Sequence, residues 1–175
     1  MTTFEPLTTR STIRVGFART DSEWADAGRL VGELVDWLAR VVQLDAQASQ
    51  HDSTEELSSL RDFYSTPAGS MVLGYVNGIA AGTSGVHMMD AETAELRRVW
   101  VTPSARGAGI APLMLESALQ AARELGARRV WLETAADHMQ KAITMYTRAG
   151  FRPISDYSDL RSAVPSAISL GLDLY

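Results

Sequence analysis

The sequence predicts an α/β fold with a mixed, mostly antiparallel central sheet of about seven strands and helices on both faces. Apolar stretches at 70–76 and 79–88 flank Asn77-Gly78, a dipeptide typical of tight β-hairpin turns, and a third strand follows at 94–101. Residues 94–134 run as strand, glycine-rich turn, helix and strand. Such a unit joins two parallel strands by a right-handed crossover, so the sheet is expected to contain both strand directions.

The remaining elements follow from the spacing of apolar residues. Asp21 is predicted to N-cap the first long helix, and Ser53 or Thr54 to begin the second. Gly126 and Gly150 are expected to end the two later helices. The predicted segments are a strand at 11–18, helices at 21–38, from 53 or 54, at 113–125 and at 138–149, strands at 128–134, 151–157 and 167–174, and loops at 43–53 and around 158–166.

The length and composition predict a single domain. The chain has 175 residues, of which 46% are hydrophobic and 21% charged, an ordinary balance for a globular chain with a buried core. We therefore expect one domain spanning residues 1–175, with a polar, frayed start at 1–10.

Composition also argues against several classes of function. The formal net charge of −5 provides no electrostatic footprint for nucleic acid or an anionic membrane. The absence of cysteine excludes disulfides, thiolate nucleophiles and cysteine-ligated zinc, and His51, His87 and His138 lack ligand spacing, so no metal is expected. Because the sequence shows neither a signal-peptide profile nor a bilayer-spanning apolar run, a soluble, cytoplasmic protein is expected.

The turn between the strand at 94–101 and the next helix carries Gly107 and Gly109. This layout points unpaired backbone N–H groups outward at a helix start, where these donors and the helix dipole favour a phosphate. Pro112 is tolerated in a first helical turn, which sets the helix start near residue 109. The lysine of a Walker loop is missing, and the third glycine of a dinucleotide fingerprint would fall at Pro112. A tight turn without a ligand is the alternative interpretation.

Three stretches of the chain carry recognisable motifs. Residues 95–111 (ELRRVWVTPSARGAGIA) resemble the central motif of the GNAT superfamily of N-acetyltransferases. Residues 130–134 (VWLET) and 142–151 (AITMYTRAGF) are similar to its next strand and to the helix that follows. The similarity is strong over 94–152 and agrees with the strand order from 12 to 174.

The resemblance implies an acyltransferase that uses acetyl-CoA or a related acyl-CoA and needs no metal. We expect transfer of an acetyl group to a primary amine of a small molecule, by direct attack of the amine on the thioester. Acetylation of a protein N-terminus or lysine is a second option, and a non-catalytic acyl-CoA-binding sensor is a rival from another class. A plain nucleotide-phosphate binder is a weaker alternative. Dimerisation is common in the superfamily, so both a monomer and a homodimer are compatible with the resemblance.

The resemblance also assigns cofactor-binding residues. The backbone of the strand before the turn is expected to pair with the pantetheine arm, and the amides of the turn to cradle the pyrophosphate. Ser104 departs from the superfamily, which often has Gln or Arg there, and Met139 stands where many relatives have Asn. The contact that this Asn makes in relatives is expected to be supplied by Thr134, His138 or Gln140. The alternative is that this protein lacks the contact. The strand residues are Val99, Trp100 and Val101, and the turn residues are Arg106, Gly107, Ala108, Gly109, Ile110 and Ala111.

Tyr146 matches the superfamily tyrosine near the thioester sulfur, so its phenol is a candidate general acid for the departing thiolate. An aromatic ring packed between helix and sheet is the alternative. For the base that accepts the amine proton, Glu95 matches a position where many relatives carry a glutamate facing the acceptor. Glu133 and His87 are further options. A solvated Glu95, or one paired with a neighbouring arginine, is equally compatible with the sequence.

Arg97 and Arg98 are expected on opposite faces of their strand, each most simply in solvent. One of them is a candidate for the 3′-phosphate or the acceptor pocket. The four tryptophans, 24, 37, 100 and 131, fall at amphipathic positions and are predicted to pack in the core. Residues 37–64 align with the part of the fold that shapes the acceptor site, and their sequence does not identify the acceptor.

Overall fold

The computed structural model describes residues 11–42, 54–158 and 160–174. The strands are β1 (Ile13–Phe17), β2 (Gly69–Val76), β3 (Ile79–Met88), β4 (Thr93–Val101), β5 (Arg129–Ala135), β6 (Arg152–Pro153) and β7 (Ala167–Asp173). Within the described residues they form one sheet in the order β1-β2-β3-β4-β5-β7-β6, in which only β4 and β5 are parallel. The predicted mixed, mostly antiparallel sheet of seven strands is confirmed. The predicted frayed start at 1–10 and loop at 43–53 lie outside the described residues.

The helices are α1 (Asp21–Trp37), continued by a π-helical turn (Leu38–Val42), α2 (Thr54–Ser58), α3 (Leu60–Phe63), α4 (Ile110–Glu124), α5 (Gln140–Arg148) and α6 (Leu160–Ala163), with a 3₁₀ turn at Pro103–Ala105. The predicted N-cap of α1 was wrong by one residue. Thr20 caps the helix: its Oγ1 accepts from the Glu23 amide at 3.3 Å, and Glu23 Oε2 accepts from the Thr20 amide at 2.9 Å. This reciprocal capping box leaves Asp21 as the first helical residue. In the described residues, no helix combines the length and apolar character needed to cross a membrane.

The hairpin between β2 and β3 turns at the predicted dipeptide. Asn77 and Gly78 have φ angles of 53° and 80°, the left-handed values that a two-residue turn of the I′ type needs at both positions. The Asn77 side chain also accepts from the Thr12 amide at 2.9 Å, which ties the start of β1 to the turn.

The predicted strand at 151–157 is largely absent. Only Arg152 and Pro153 pair with β7. The Ile154 amide still donates to Ser169 O of β7 at 3.1 Å. Further along, the side chains of Tyr157 and Ser158 form hydrogen bonds with Glu95 and Glu133 instead of continuing a ladder. The predicted loop around 158–166 contains the short helix α6.

Each face of the sheet is covered by its own helices, as predicted. Helices α1 and α3 cover one face, whose core includes Ala27, Leu30, Leu34, Tyr64 and Trp100, with Trp24 and Trp37 packed against it. Helices α4 and α5 cover the other face, whose core includes Met114, Ala118, Val130, Tyr146 and Phe151. Trp131 contacts Tyr157, with ring centroids 5.2 Å apart.

Candidate active site

The parallel strands β4 and β5 separate part of the way along the sheet. They pair only where Thr93, Ala94 and Glu95 lie opposite Arg129, Val130 and Trp131. After this point β4 continues to Val101 and β5 to Ala135 without pairing with each other. The two strands therefore leave a gap in the middle of the sheet, lined on both sides by backbone groups that do not pair with the opposite strand.

The pairing with β3 decides which backbone groups of β4 face this gap. The Thr102 amide donates to Ala81 O at 2.9 Å, and Trp100 lies opposite Thr83. Because backbone groups alternate between the two edges of a strand, those of Val101 and Val99 face the gap. Arg106 Nε donates to the Val101 carbonyl at 3.2 Å.

Trp100 differs from its two neighbours. Its backbone faces β3, so the structure does not place it among the groups that could pair with a ligand in the gap. Its indole is buried, lies 5.8 Å from the Trp37 ring and donates from Nε1 to Glu33 at 3.1 Å. The geometry therefore does not support the predicted pairing of the Trp100 backbone with the pantetheine arm, because the strand period turns that residue toward β3.

A bulge interrupts β4 just before these residues. Its pairing with β3 shifts between Thr83 and Gly85, and Arg98 adopts a φ of 53°. An extra residue in one strand reverses the alternation of its side chains. Arg97 and Arg98 therefore reach the same partner, Glu56, and their side chains are only 15% and 7% exposed. The prediction that they occupy opposite faces and are solvated was wrong, because sequence spacing assumes a regular strand.

The turn after β4 exposes backbone amides at the start of α4. Gly107 and Gly109 have φ angles of 84° and 88°, and no atom lies within 4 Å of a Cβ added at either position. Gly109 caps α4 without a side-chain hydrogen bond, so the amides of Gly109, Ile110 and Ala111 have no intrahelical acceptor. The predicted helix start near residue 109 is confirmed.

Two of the predicted turn amides are used within the turn itself. The Arg106 amide donates to Pro103 O at 3.4 Å, and the Ala108 amide donates to Ala105 O at 3.2 Å. These bonds shape the turn, and the amides of residues 107 and 109–111 are left as the candidate donors for an anion.

Tyr146 lies on α5 in the core shared with Val99 and Val101, and is 5% exposed. Its ring centroid is 5.7 Å from that of Phe151. Burial raises the pKa of Tyr146 above its ordinary value of 10.0, so the phenol holds its proton at neutral pH. A protonated phenol is required of a general acid, and it is equally compatible with a tyrosine that only packs in the core.

Thr134 and Met139 contact each other where the superfamily Asn would act. Thr134 Oγ1 lies 3.1 Å from Met139 Sδ, which accepts its hydrogen bond. The Gln140 side chain donates to Ala136 O at 2.6 Å, a local bond on its own helix start. Of the three predicted substitutes for that Asn, Thr134 is a buried hydroxyl on β5 beside the gap.

The two candidate bases lie on neighbouring strands, Glu95 on β4 and Glu133 on β5. Glu95 lies opposite Trp131, at the last paired position, and Glu133 is two residues further along, beside the gap. Arg97 Nη1 donates to Glu95 Oε2 at 2.6 Å, and the Tyr157 hydroxyl donates to Glu95 Oε1 at 2.9 Å. Glu95 is thus held by an ion pair, one of the alternatives left open by the sequence.

Glu133 accepts from two hydroxyl groups. The Ser158 hydroxyl donates to its Oε2 at 2.6 Å, and the Ser169 hydroxyl to its Oε1 at 3.1 Å. Burial raises the pKa of Glu133, the hydroxyl contacts oppose this, and the nearby Glu95 and Asp156 carboxylates add to the rise. The third option, His87, is stacked on Phe63 with ring centroids 3.8 Å apart.

Glu56 was not among the predicted site residues, and its side chain is completely buried. Arg98 Nε donates to Glu56 Oε1 at 2.7 Å, Arg98 Nη2 to Oε2 at 2.9 Å, and Arg97 Nη2 to Oε2 at 2.7 Å. The Tyr64 hydroxyl also donates to Oε1. We call Glu56, Glu95, Arg97 and Arg98 the bulge cluster. Two adjacent arginines in a strand with a single glutamate were the signal that a second, buried counter-charge was needed.

We expect the bulge cluster to make the protein sensitive to acid. Burial raises the pKa of Glu56, but the hydrogen bond from Arg98 and the charges of both arginines outweigh it and lower the pKa from 4.5 to about 2. The carboxylate therefore stabilises the fold above pH 4.5, and this contribution, on the order of 3 kcal/mol, is lost as pH falls toward 2. Urea unfolding at several pH values should show the advantage of the native protein over Glu56→Gln shrinking across this range. Glu124→Gln, an exposed control, should follow the native profile. A constant difference between native protein and Glu56→Gln would contradict the expectation.

Among the described residues, no group of three His, Cys, Asp or Glu side chains is arranged to hold a metal ion. A groove of about 540 Å³ runs between α4 and α5. It begins at Pro112, directly after the exposed amides of residues 109–111, and is lined by Lys141, Arg123 and Arg148 among other residues.

Comparison with known proteins gives a consistent result. A family model described as "Acetyltransferase (GNAT) family" matches residues 31–151. Uncharacterized N-acetyltransferase YjgM of Escherichia coli (strain K12) is 31% identical over 105 residues, a region that covers 58% of this chain and 62% of that protein. The chain thus matches less than two thirds of the length of that relative.

Solved structures share the fold. An acetyltransferase of the GNAT family from Staphylococcus aureus Mu50 has a TM-score of 0.71 at 20% identity, over 94% of this chain and 100% of that chain. A GNAT family acetyltransferase from Elizabethkingia anophelis with acetyl-CoA bound has a TM-score of 0.58 at 18% identity, over 95% of this chain and 100% of that chain. At these identities the likeness establishes a common fold.

Proposed function

This chain belongs to the acetyltransferase (GNAT) family, and on that basis we propose that it transfers an acetyl group from acetyl-CoA to the primary amine of a small molecule. The gap between β4 and β5, which opens beside the exposed amides at the start of α4, is the observation that carries the proposal. A chain of alternating amides such as pantetheine needs free backbone edges, and a pyrophosphate needs N–H donors. The gap and the turn offer both in adjacent places.

Named residues divide the binding of acetyl-CoA between them. The backbone groups of Val99 and Val101 would hold the pantetheine arm, and the amides of Gly107 and of residues 109–111 the pyrophosphate. Lys141, Arg123 and Arg148 line the groove between α4 and α5 and are the candidate cations for the 3′-phosphate. Arg97 and Arg98 are not, because both are committed to Glu56 on the opposite face.

The bound thioester supplies an activated acetyl carbon. Attack by the amine forms the C–N bond, breaks the C–S bond and leaves one proton to be removed from nitrogen and one to be supplied to the thiolate. We assign the second role to Tyr146, whose phenol is protonated at neutral pH. The first role belongs to a carboxylate on the acceptor side, where Glu95 is our candidate and Glu133 the alternative.

The choice between these carboxylates can be tested by their pH–rate profiles. A base must be ionised to act, so its protonation produces the acidic limb of the profile. We expect Glu95→Gln to lower kcat about a hundredfold and to flatten that limb, and Glu133→Gln to retain it. The opposite result would assign the base to Glu133, whose raised pKa would place the limb above the ordinary carboxyl value of 4.5. Profiles unaltered in both variants would give the role to another group, such as His87.

The small-molecule acceptor and a homodimer are parts of the proposal that rest on the resemblance to the family, and the cytoplasmic setting is carried over from the sequence-based expectation. Acceptors attached to proteins, at an N-terminus or a lysine side chain, are the second enzyme option. A non-catalytic acyl-CoA sensor is the rival, favoured by the Met139 substitution at a position where many relatives carry Asn.

The test begins with mass spectrometry of the purified protein for co-purified CoA. Thiol release from acetyl-CoA is then measured with a panel of small amines, amino acids and lysine-containing or free-N-terminal peptides. Turnover with small amines supports the proposal, and turnover confined to peptides supports the second option. Tight acetyl-CoA binding without turnover on any amine would identify a sensor, and failure to bind acetyl-CoA would refute all three.

A further inference from the structure

The bulge cluster joins α2 to the irregular part of β4. Glu56 lies on α2, and its two arginine partners lie 41 and 42 residues further along the chain. Arg97 contacts Glu95 as well as Glu56, so two carboxylates and two guanidinium groups balance in a poorly exposed site. Bidentate contact from Arg98 to Glu56 fixes direction as well as distance, because the guanidinium fork is planar.

The bulge requires such an anchor. Arg98 has a φ of 53°, in the left-handed region that a residue with a Cβ adopts only at a cost in free energy. Its carbonyl accepts from Thr83 Oγ1 at 2.8 Å, and its side chain is held by Glu56. The surrounding contacts thus fix a backbone conformation that the strand would not adopt by itself.

This conformation decides which groups face the gap. Leu96 packs in the core under α4, and beyond the bulge Val99 and Val101 pack against the same core. In a regular strand Val99 and Val101 would lie on the opposite face from Leu96, since side chains alternate with a period of two. Loss of the bulge would turn every later residue of β4 over and exchange its backbone edges.

We propose that Glu56 is a positioning residue of the acyl-CoA site: by holding Arg98 in the bulge, it keeps the backbone groups of Val99 and Val101 turned toward the gap. The inference rests on the proposed function, because it takes the acyl-CoA arm to lie along that edge. Glu56 itself touches neither reactant. Its effect passes through Arg98 and the strand.

A pair of variants separates positioning from stability. Glu56→Gln should raise the Kd for acetyl-CoA, measured by calorimetry, about tenfold or more through misplacement of the strand. Leu30→Ala, which leaves a cavity beneath α1, is the control. Its melting temperature should also fall, but its Kd for acetyl-CoA should stay within about twofold of the native value. If both variants have the same Kd as the native protein, the proposal is overturned.

A second variant guards against loss of the fold. Glu56→Leu combined with Arg98→Met removes the buried carboxylate together with its bidentate arginine, while Arg97 keeps its ion pair with Glu95. Replacing buried charged partners together by apolar side chains is often tolerated without loss of stability. The double variant should stay folded and still bind acetyl-CoA about tenfold more weakly. Native affinity in this variant would contradict the proposal.

A measurement without ligand distinguishes failure of this inference from failure of the proposed function. Backbone carbon chemical shifts of Arg98 report its φ, and Glu56→Gln should move them from left-handed to extended values. Unchanged shifts would overturn the role of Glu56 even if acetyl-CoA binds. Native protein that does not bind acetyl-CoA would refute the proposed function, and the shifts would still decide whether Glu56 sets the bulge.

Discussion

Gly109→Glu is expected to lower the affinity for acetyl-CoA about a hundredfold or more while leaving the fold in place. The substitution puts a carboxylate at the start of α4, among amides that have no acceptor of their own. Its side chain would enter open space, since no atom lies within 4 Å of a Cβ at this position. The variant should therefore lose affinity because its negative charge occupies and repels the phosphate position. Calorimetric titration with acetyl-CoA measures the effect.

Gly78→Glu is the matched control. Gly78 has a φ of 80°, close to the 88° of Gly109, and is also open around its Cβ, but it lies in the hairpin between β2 and β3. Both variants should lose a similar amount of stability, about 1–2 kcal/mol, from a side chain in the left-handed region. Only Gly109→Glu should lose affinity. Equal binding by the two variants would show that the phosphate does not lie at this turn.

Tyr146→Phe is expected to lower kcat about a hundredfold, with little change in the Kd for acetyl-CoA. The phenylalanine ring preserves packing against Phe151 but cannot donate a proton to the departing thiolate. Burial raises the pKa of Tyr146, so the acid form persists above pH 10.0 and the native profile should show no alkaline limb from this residue at lower pH. Steady-state kinetics over pH 6–10, together with binding titrations, test both statements.

Tyr75→Phe provides the comparison for that variant. Tyr75 is a buried tyrosine on β2, under the guanidinium of Arg14 and away from the gap. Removing its hydroxyl should leave kcat unchanged. If Tyr146→Phe behaves in the same way, the ring of Tyr146 serves packing alone and another donor protonates the thiolate.

Local chemistry made much of the fold predictable. Asn77-Gly78 specifies its turn through the left-handed conformation that these two residues tolerate. The turn at Gly107 and Gly109 is equally local, because its shape and its free amides follow from a few consecutive residues. The parallel crossover from β4 to β5 follows from the order of elements.

Contacts between distant segments limited what could be predicted of the site. The bulge in β4 depends on Glu56, 42 residues before Arg98, and spacing alone cannot reveal such a partner. The hydroxyls that hold Glu95 and Glu133 come from Tyr157 and Ser158, 62 and 25 residues away. That segment was predicted as a strand, but the side chains of Tyr157 and Ser158 contact the two carboxylates instead of extending the ladder.

Strands β1–β4 and β5–β7 share only a short stretch of backbone pairing, in which Thr93–Glu95 lies beside Arg129–Trp131. A molecule that binds the open edges of both β4 and β5 would connect the two parts of the sheet. Saturation with such a molecule should raise the melting temperature in proportion to the logarithm of its concentration. Amide hydrogen exchange should slow in β4 and in β5 at the same time.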